Sequence, residues 1–315
     1  MSIPESQLET WSSQGAITTS ASTYATIRNA LEAKTAMYAD KEFEIFLQGS
    51  YGNDTNIYAE SDVDIVILLK SSFYRDISRL SASEQEAYRA QATSGTYDYK
   101  DYKNHVEAAL RKVFGASVEC GKKSIKVKAD GSRRNADVIP AFQYRFYKYF
   151  DSSDSSNPKS YDEGISFFDQ ADRQIINYPK AHSANLTLKH QKTNGMFKPM
   201  ARIFKNIRTR LVDDEIIDAG LAPSYFIEGM LYNVPNEKFT GNYKDAFVAC
   251  KDWLIETDRT NFLCANMQQS LFGNTSVTWT EENCQKFLKE VSDLWDGWNA
   301  REIFGSFEKL LNPWN

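Results

Sequence analysis

The sequence predicts an α+β chain of two lobes: a mixed β-sheet lobe over residues 1–175 and a helical lobe over residues 176–315. Three observations carry this. Glu44–Gln48 and Val63–Leu69 read as strands flanking a polar turn and a loop of about ten residues, and Ile65-Val-Ile-Leu-Leu69 is the unbroken apolar run of a strand covered on both faces. Residues 124–139 alternate as a hairpin around Asp130-Gly131. Beyond Tyr178-Pro179, apolar residues recur at helical spacing, with prolines at 199 and 223 in the first-turn positions that tolerate them. A chain of 315 residues can bury a core in each lobe.

Residues 1–20 are polar and rich in Ser and Thr. Tyr24, Ile27, Arg28 and Leu31 then set a helix from about Ser20 to Tyr38, N-capped by Ser20 or Ser22. The strand–turn–strand stretch follows. Residues 71–100 read as a surface insertion, and Tyr102–Phe114 as a helix burying Val106, Ala109, Leu110 and Val113. The hairpin pairs Ser124–Ala129 with Arg133–Ile139; its Lys122, Lys123, Lys126, Lys128, Arg133 and Arg134 read as solvated, with some free to screen phosphate charge. Residues 151–164 read as a connecting loop. A short helix over Ala181–Gln191 opens the second half. The next, from Pro199, carries the stripe Met200, Ile203, Phe204, Ile207 and Leu211, with Arg202 and Lys205 on the opposite face. Pro223-Ser-Tyr starts another helix. Tyr243–Glu256, Asn261–Leu271, Thr280–Arg301 and Phe304–Leu311 read as further helices, with Trp253, Phe287, Leu294 and Trp298 at core positions.

Composition narrows the function. Hydrophobic residues make up 42% and charged residues 25%, and no apolar run approaches a membrane span. The first residues, Met-Ser-Ile-Pro-Glu, lack signal-peptide character, so a cytoplasmic protein is expected. Four cysteines without Cys-x-x-Cys spacing and three scattered histidines argue against zinc; the cysteines are expected to be reduced core residues. A net charge of −5 argues against stable binding of long nucleic acid, while leaving room for a local basic groove for nucleoside triphosphates.

The chemistry concentrates between Gly49 and Leu69. Asp62 and Asp64 lead into the second strand, and alternate residues of a strand share a face, so their carboxylates point the same way, roughly 6–7 Å apart. Such a pair repels unless a cation lies between, and hard oxygen ligands suit Mg²⁺. The Gly49-Ser50 turn offers backbone N–H groups and a hydroxyl to phosphate oxygens. Asp137, on the return strand of the hairpin, is placed to be a third carboxylate if that strand neighbours the Asp-x-Asp strand.

Gly-Ser, about ten residues, then Asp-x-Asp opening a hydrophobic strand resembles the signature of the polymerase-β-like nucleotidyltransferases. Asn177-Tyr-Pro-Lys-Ala-His-Ser-Ala-Asn, Phe197-Lys-Pro-Met-Ala-Arg-Ile-Phe-Lys and Pro223-Ser-Tyr-Phe-Ile-Glu look like second-lobe segments of one branch, the cGAS/DncV-like nucleotidyltransferases of bacterial anti-phage CBASS operons. The motif-level resemblance covers roughly residues 20–230. It implies a two-lobed polymerase-β-like nucleotidyltransferase that builds a cyclic di- or trinucleotide messenger from ATP, GTP or other nucleoside triphosphates. It implies two Mg²⁺ ions, with Mn²⁺ a possible substitute, on Asp62, Asp64 and Asp137, and Gly49 and Ser50 on phosphate. It places Lys205 and Ser224 on the triphosphate and Tyr225 against a base. A monomer that signals to a product-activated effector protein encoded nearby is expected. The same residues also suit transfer to another acceptor, such as an RNA end, a protein or a small molecule, or an inert nucleotide- or RNA-binding sensor. The chain ends Asn312-Pro-Trp-Asn315, so the C-terminal conjugation seen in some relatives is not expected.

Overall fold

The computed structural model describes residues 2–298 apart from 16, 59–61, 96 and 276. Its strands are β1 (Phe43–Leu47), β2 (Val63–Asp76), β3 (Val118–Cys120), β4 (Ile125–Val127), β5 (Ala136–Tyr147), β6 (Tyr161–Phe168) and β7 (Gln174–Asn177). Its α-helices are α1 (Glu5–Ser12), α2 (Thr18–Leu31), α3 (Gly49–Gly52), α4 (Ala82–Gln91), α5 (Tyr99–Phe114), α6 (Pro179–Lys192), α7 (Phe197–Asp213), α8 (Ser224–Asn233), α9 (Tyr243–Glu256) and α10 (Glu281–Asp296). The described residues divide into two compact units. The sheet unit is drawn from Ala16–Gly52 and Ser61–Ala181, and the helical unit from Met1–Gly15, Asn53–Glu60 and His182–Asn315. A single cut near residue 175 therefore does not describe the division, because two short segments of the N-terminal half fall in the helical unit.

In the sheet unit the strands run β1-β2-β5-β4-β3, with β6 on the far part of β5 and β7 beyond it. β2 and β5 are parallel, and every other pairing is antiparallel, so the sheet is mixed as expected. Val63 and Ile65–Leu69 are fully buried. Ile27 and Leu31 of α2, with Tyr102, Val106 and Leu110 of α5, complete this core. Pro140 sits inside β5 and lacks the N–H a paired strand uses. Hydroxyls of α5 bond to the backbone there: Tyr102 Oη donates to Ile67 O at 3.2 Å and Tyr99 Oη to Pro140 O at 3.1 Å.

The helical unit is built around α7, of which nine residues are buried, from Phe197 to Leu211. The N-terminal segment belongs to this core through Ile3 and Leu8. Glu5 also caps α9, accepting from Tyr243 N and Lys244 N, each at 2.8 Å, where a carboxylate meets the positive end of the helix dipole.

Several expectations are corrected. The helix expected to Tyr38 ends at Leu31, and Tyr38 folds back so that its hydroxyl donates to Leu31 O at 2.9 Å. Residues 71–100 are not one insertion: β2 runs on to Asp76 after a bulge between Leu69 and Phe73, and α4 follows, opened by a Ser81/Glu84 capping box. The loop placed at 151–164 gives way to β6 at Tyr161. Asp130-Gly131 lies in a longer connection, in which the Asp130 carboxylate gathers Ser132 and Arg133. Val113 is exposed, because the buried stripe of α5 stops a turn before the helix does. α7 begins at Phe197, two residues before Pro199. Asn261–Leu271 is not helical. The Asn266 side chain accepts from Gln268 N, and the chain turns back so that Leu263 bridges Ser270, a local hydrogen bond competing with the helix. Cys120 is exposed, whereas Cys250, Cys264 and Cys284 are buried and all four are reduced. The expected Phe304–Leu311 helix lies outside the described residues.

Candidate active site

The parallel pairing of β2 with β5 places the acidic residues. Asp64 and Asp137 are Cα partners in register, and in-register residues of neighbouring strands project to the same face. Asp62, two residues before Asp64, leads onto that face, and its Oδ1 accepts from Asn135 Nδ2 at 3.1 Å. Asn135 is fixed in turn by Ala129 N, which donates to its Oδ1 at 2.9 Å. Asp137 Oδ1 accepts from the nearly buried Ser124 hydroxyl at 2.8 Å. Lys126 of β4 is in register with Asp137, which brings one hairpin lysine to the carboxylates' own row.

The Gly49-Ser50 turn packs directly on this row. Gly49 has φ +64°, and a Cβ added there would lie 2.3 Å from Asp64 Oδ2. Only glycine allows both the left-handed backbone and the close approach. Ser50 follows in the one-turn helix α3, and Gln48 N is tied to Asp64 O at 3.0 Å. Gln48 Oε1 is buried without a hydrogen-bond partner among the described residues, an acceptor facing no donor the protein supplies. Among the described residues no three acidic, imidazole or thiol groups converge into a finished metal cage. The donor set still suits a divalent cation: hard carboxylate oxygens, two of them in register, with an orphaned acceptor at the adjoining turn.

The other sequence-predicted residues lie in the helical unit. Lys205 is not on a solvated face of α7. It is fully buried, because α7 is surrounded by other elements over most of its girth. Its Nζ donates to Glu228 Oε1 at 2.8 Å and to Thr55 O and Thr55 Oγ1 at 3.1 Å each. Arg202, also read as solvated, is partly buried and donates to the Ser12 and Asp54 carbonyls. Glu228 Oε1 also accepts from Thr55 Oγ1, while Oε2 meets His182 Nε2 at 2.8 Å and Asn53 Nδ2 at 3.1 Å. Burial alone would push the Glu228 carboxyl up. The Lys205 charge and the hydrogen bonds from His182 and Lys205 outweigh it and hold the group well below the usual carboxylate range.

Tyr225 stacks on the His182 ring, with centroids 4.8 Å apart and 20° between planes, and its hydroxyl accepts from Asn266 Nδ2 at 2.9 Å. Burial raises its pKa, so it stays a neutral phenol. Ser224 opens α8, and its Oγ accepts from Arg208 Nη1 at 3.0 Å. The cation seen beside Ser224 is thus Arg208, one turn beyond Lys205. Sequence reasoning missed Gln48, Ser124, Asn135, His182, Arg208 and Glu228. The signal for Glu228 was present: a lone carboxylate in the apolar run Tyr225-Phe-Ile-Glu-Gly-Met-Leu231 must find a buried cation.

Comparison with known proteins follows the same division. Residues 27–144 match the model of a nucleotidyltransferase domain, and residues 184–296 match that of the cGAS/DncV-like nucleotidyltransferase C-terminal helical domain. A cyclic UMP-AMP synthase of Rhodothermus marinus is 42% identical, covering 95% of this chain and 99% of that one. Its structure with Apcpp and Upnpp superposes with a TM-score of 0.84 at 41% identity, over 94% and 97% of the two chains. A cyclic nucleotide synthase of Staphylococcus haemolyticus is 38% identical over 95% of this chain and all of its own length. A cyclic dipurine nucleotide synthase of Elizabethkingia meningoseptica is 39% identical over 92% and 97%. The structure of a cyclic dinucleotide synthase from the same organism, with GTP and Apcpp, gives a TM-score of 0.73 at 32% identity, over 91% and 97%.

Proposed function

Because the chain belongs to the cGAS/DncV-like nucleotidyltransferases, we propose that it joins two nucleoside triphosphates into a cyclic dinucleotide, with Asp62, Asp64 and Asp137 as the catalytic carboxylates. The observation that carries this reading is the in-register pair Asp64 and Asp137 with Gly49 pressed against Asp64. These three aspartates would hold the divalent cations, two Mg²⁺ or Mn²⁺ ions. Bound there, the ions supply a lowered pKa for the attacking hydroxyl and neutralisation of the leaving pyrophosphate.

The chain's own residues do the positioning. Gly49 and Ser50 offer N–H and O–H donors to triphosphate oxygens, and Gln48 Oε1 is free to accept from a bound hydroxyl or water. Asp137, oriented by Ser124, accepts the proton of a ribose 2′- or 3′-hydroxyl as its oxygen attacks the α-phosphorus of the second nucleotide. The bond to pyrophosphate breaks as the new P–O bond forms. The same exchange, run once more within the linked product, closes the ring. In the helical unit, Ser224 with Arg208 is assigned to phosphate and Tyr225 to a base. Lys205, fully buried on Glu228 and Thr55, is assigned to bracing the helices that carry this subsite and not to direct contact with the triphosphate.

Two of the three named relatives differ in product, one being a cyclic UMP-AMP synthase and the other a cyclic dipurine nucleotide synthase, so the bases are for experiment to name. No helix among the described residues is long and apolar enough to cross a membrane. The remaining assignments are a cytoplasmic monomer, anti-phage signalling through a product-activated effector, and no stable binding of long nucleic acid. The test is incubation with all four α-³²P-labelled nucleoside triphosphates and Mg²⁺ or Mn²⁺, then phosphatase. Resistant small products that vanish in Asp62→Ala/Asp64→Ala, with the fold of that variant intact, support the reading, and omission of one nucleotide at a time names the bases. Undiminished product from the double variant overturns the metal assignment.

A further inference from the structure

A second cleft lies in the sheet unit, at the far end of the strands that carry the aspartates. It encloses about 1070 Å³ between the end of β2, α4 and the segments around Thr93 and Ser155. That volume is at the upper end for small-molecule sites. Asp137 and Arg145 are eight residues apart on β5, and Asp64 and Arg75 are their partners on either side of the β2 bulge, which places the cleft roughly 25 Å from the carboxylate row.

Two arginines line it side by side. Arg75 and Arg145 are Cα partners on the parallel strands β2 and β5. Like charges directly opposite each other on neighbouring strands repel. Among the described residues neither forms an ion pair with a carboxylate, although the chain as a whole carries a net charge of −5. The Arg145 guanidinium stacks on Phe73, 3.7 Å from the ring centroid, and uses only its Nε, on Gln143 Oε1 at 2.8 Å. Arg75 lies over the Tyr88 ring at 5.5 Å and makes no hydrogen bond among the described residues. An arginine held face-on by an aromatic ring presents its N–H fork outward, the geometry that takes phosphate oxygens in pairs. Tyr88, Tyr147 and Phe150 pack together on the arginines' face of the sheet and supply aromatic surface there, and Thr93, Ser94, Ser155 and Ser156 supply hydroxyls. Asp98, the one carboxylate among the described residues that line it, is turned to the N-terminus of α5, where it accepts from Lys100 N.

We propose that this cleft is a second nucleotide-binding site, separate from the catalytic row, in which Arg75 and Arg145 take a phosphate and the surrounding aromatic rings take a base. The chemistry is that of a base carrying a phosphate mono- or diester, and two sources supply it: a mononucleotide or a cyclic dinucleotide. The full chain is titrated calorimetrically in EDTA, which withholds the cations the aspartates need, with adenosine 5′-monophosphate in one arm and cyclic UMP-AMP in the other. Neither arm depends on turnover, so a failed synthase assay leaves the result readable. Saturable binding is expected in at least one arm, which names the source. It persists in Asp62→Asn/Asp64→Asn and weakens at least tenfold in Arg75→Ala/Arg145→Ala. Thr93→Trp, which fills the cleft from an exposed loop, gives the same loss and decides the matter if the double arginine variant melts early. No saturable binding in either arm at millimolar ligand, or equal binding with and without the arginines, overturns the proposal.

Discussion

Lys205 and Glu228 form an ion pair with no access to water: 2.8 Å from Nζ to Oε1, with Lys205 0% and Glu228 2% exposed. Thr55, Asn53 and His182 take the remaining hydrogen bonds, so one carboxylate ties α6, α7 and α8 to the segment that follows the Gly-Ser turn. Glu228→Gln leaves a buried ammonium without its counter-charge, and stability is expected to fall by about 3–5 kcal/mol. The double variant Glu228→Gln/Lys205→Met removes both charges and is expected to recover much of that loss. Urea unfolding of the native chain, Glu228→Gln, Lys205→Met and the double variant measures the coupling. Additive losses would mean that the two groups do not act as a pair.

The same carboxylate makes acid stability predictable in sign. Folded Glu228 binds a proton more weakly than an unfolded carboxyl near 4.5, so unfolding takes up a proton as pH falls. Its contribution is fully present above about pH 4.5 and is lost progressively below it. Urea midpoints measured from pH 7 down to 3 should fall more steeply for the native chain than for Glu228→Gln. Parallel curves would show that other groups carry the acid sensitivity.

Gly49→Ala probes the turn against the carboxylate row. The left-handed backbone alone penalises alanine by roughly 1–2 kcal/mol. The larger effect is steric, since the new Cβ falls 2.3 Å from Asp64 Oδ2 and the carboxylate must move. A displacement near 1 Å at a reacting centre is worth about a hundredfold in rate. Synthesis is expected to drop by about that factor with only a modest shift in thermal midpoint. A variant that melts slightly early yet keeps full activity would remove Asp64 from the chemistry.

What could be read from the sequence was whatever a local rule decides. The apolar run Ile65–Leu69 declared a central strand because nothing else requires five successive buried side chains, and the spacing of Asp62 and Asp64 put both on one face. The adjacency of Asp137 was an inference about strand order, which spacing within one strand cannot supply; the register with Asp64 comes only from the fold. Lys205 shows the opposite case. Helical periodicity assigned it to solvent because periodicity assumes one buried stripe, whereas α7 is covered on most sides. Its partner Glu228 is 23 residues away, and Thr55 and His182 lie in other segments, so no window of sequence contains the set. Asn261–Leu271 failed for a similar reason: a side-chain turn at Asn266 overrode apolar spacing.

Tyr225 offers a test that separates binding from chemistry. Its ring is held against His182, and His182 is anchored by Glu228, so the tyrosine is fixed before any nucleotide arrives. Stacking of a base on an aromatic ring is worth about 1–3 kcal/mol by alanine substitution. Tyr225→Ala should therefore raise KM for a nucleoside triphosphate roughly tenfold to a hundredfold and lower kcat far less. Tyr225→Phe keeps the ring and loses only the hydroxyl that accepts from Asn266, so its KM should stay within a few-fold of the native value. Steady-state kinetics on both variants decide between two roles. A KM rise confined to Tyr225→Ala identifies the ring as a base platform, whereas equal defects in both variants would assign Tyr225 to holding Asn266 and the turn around it.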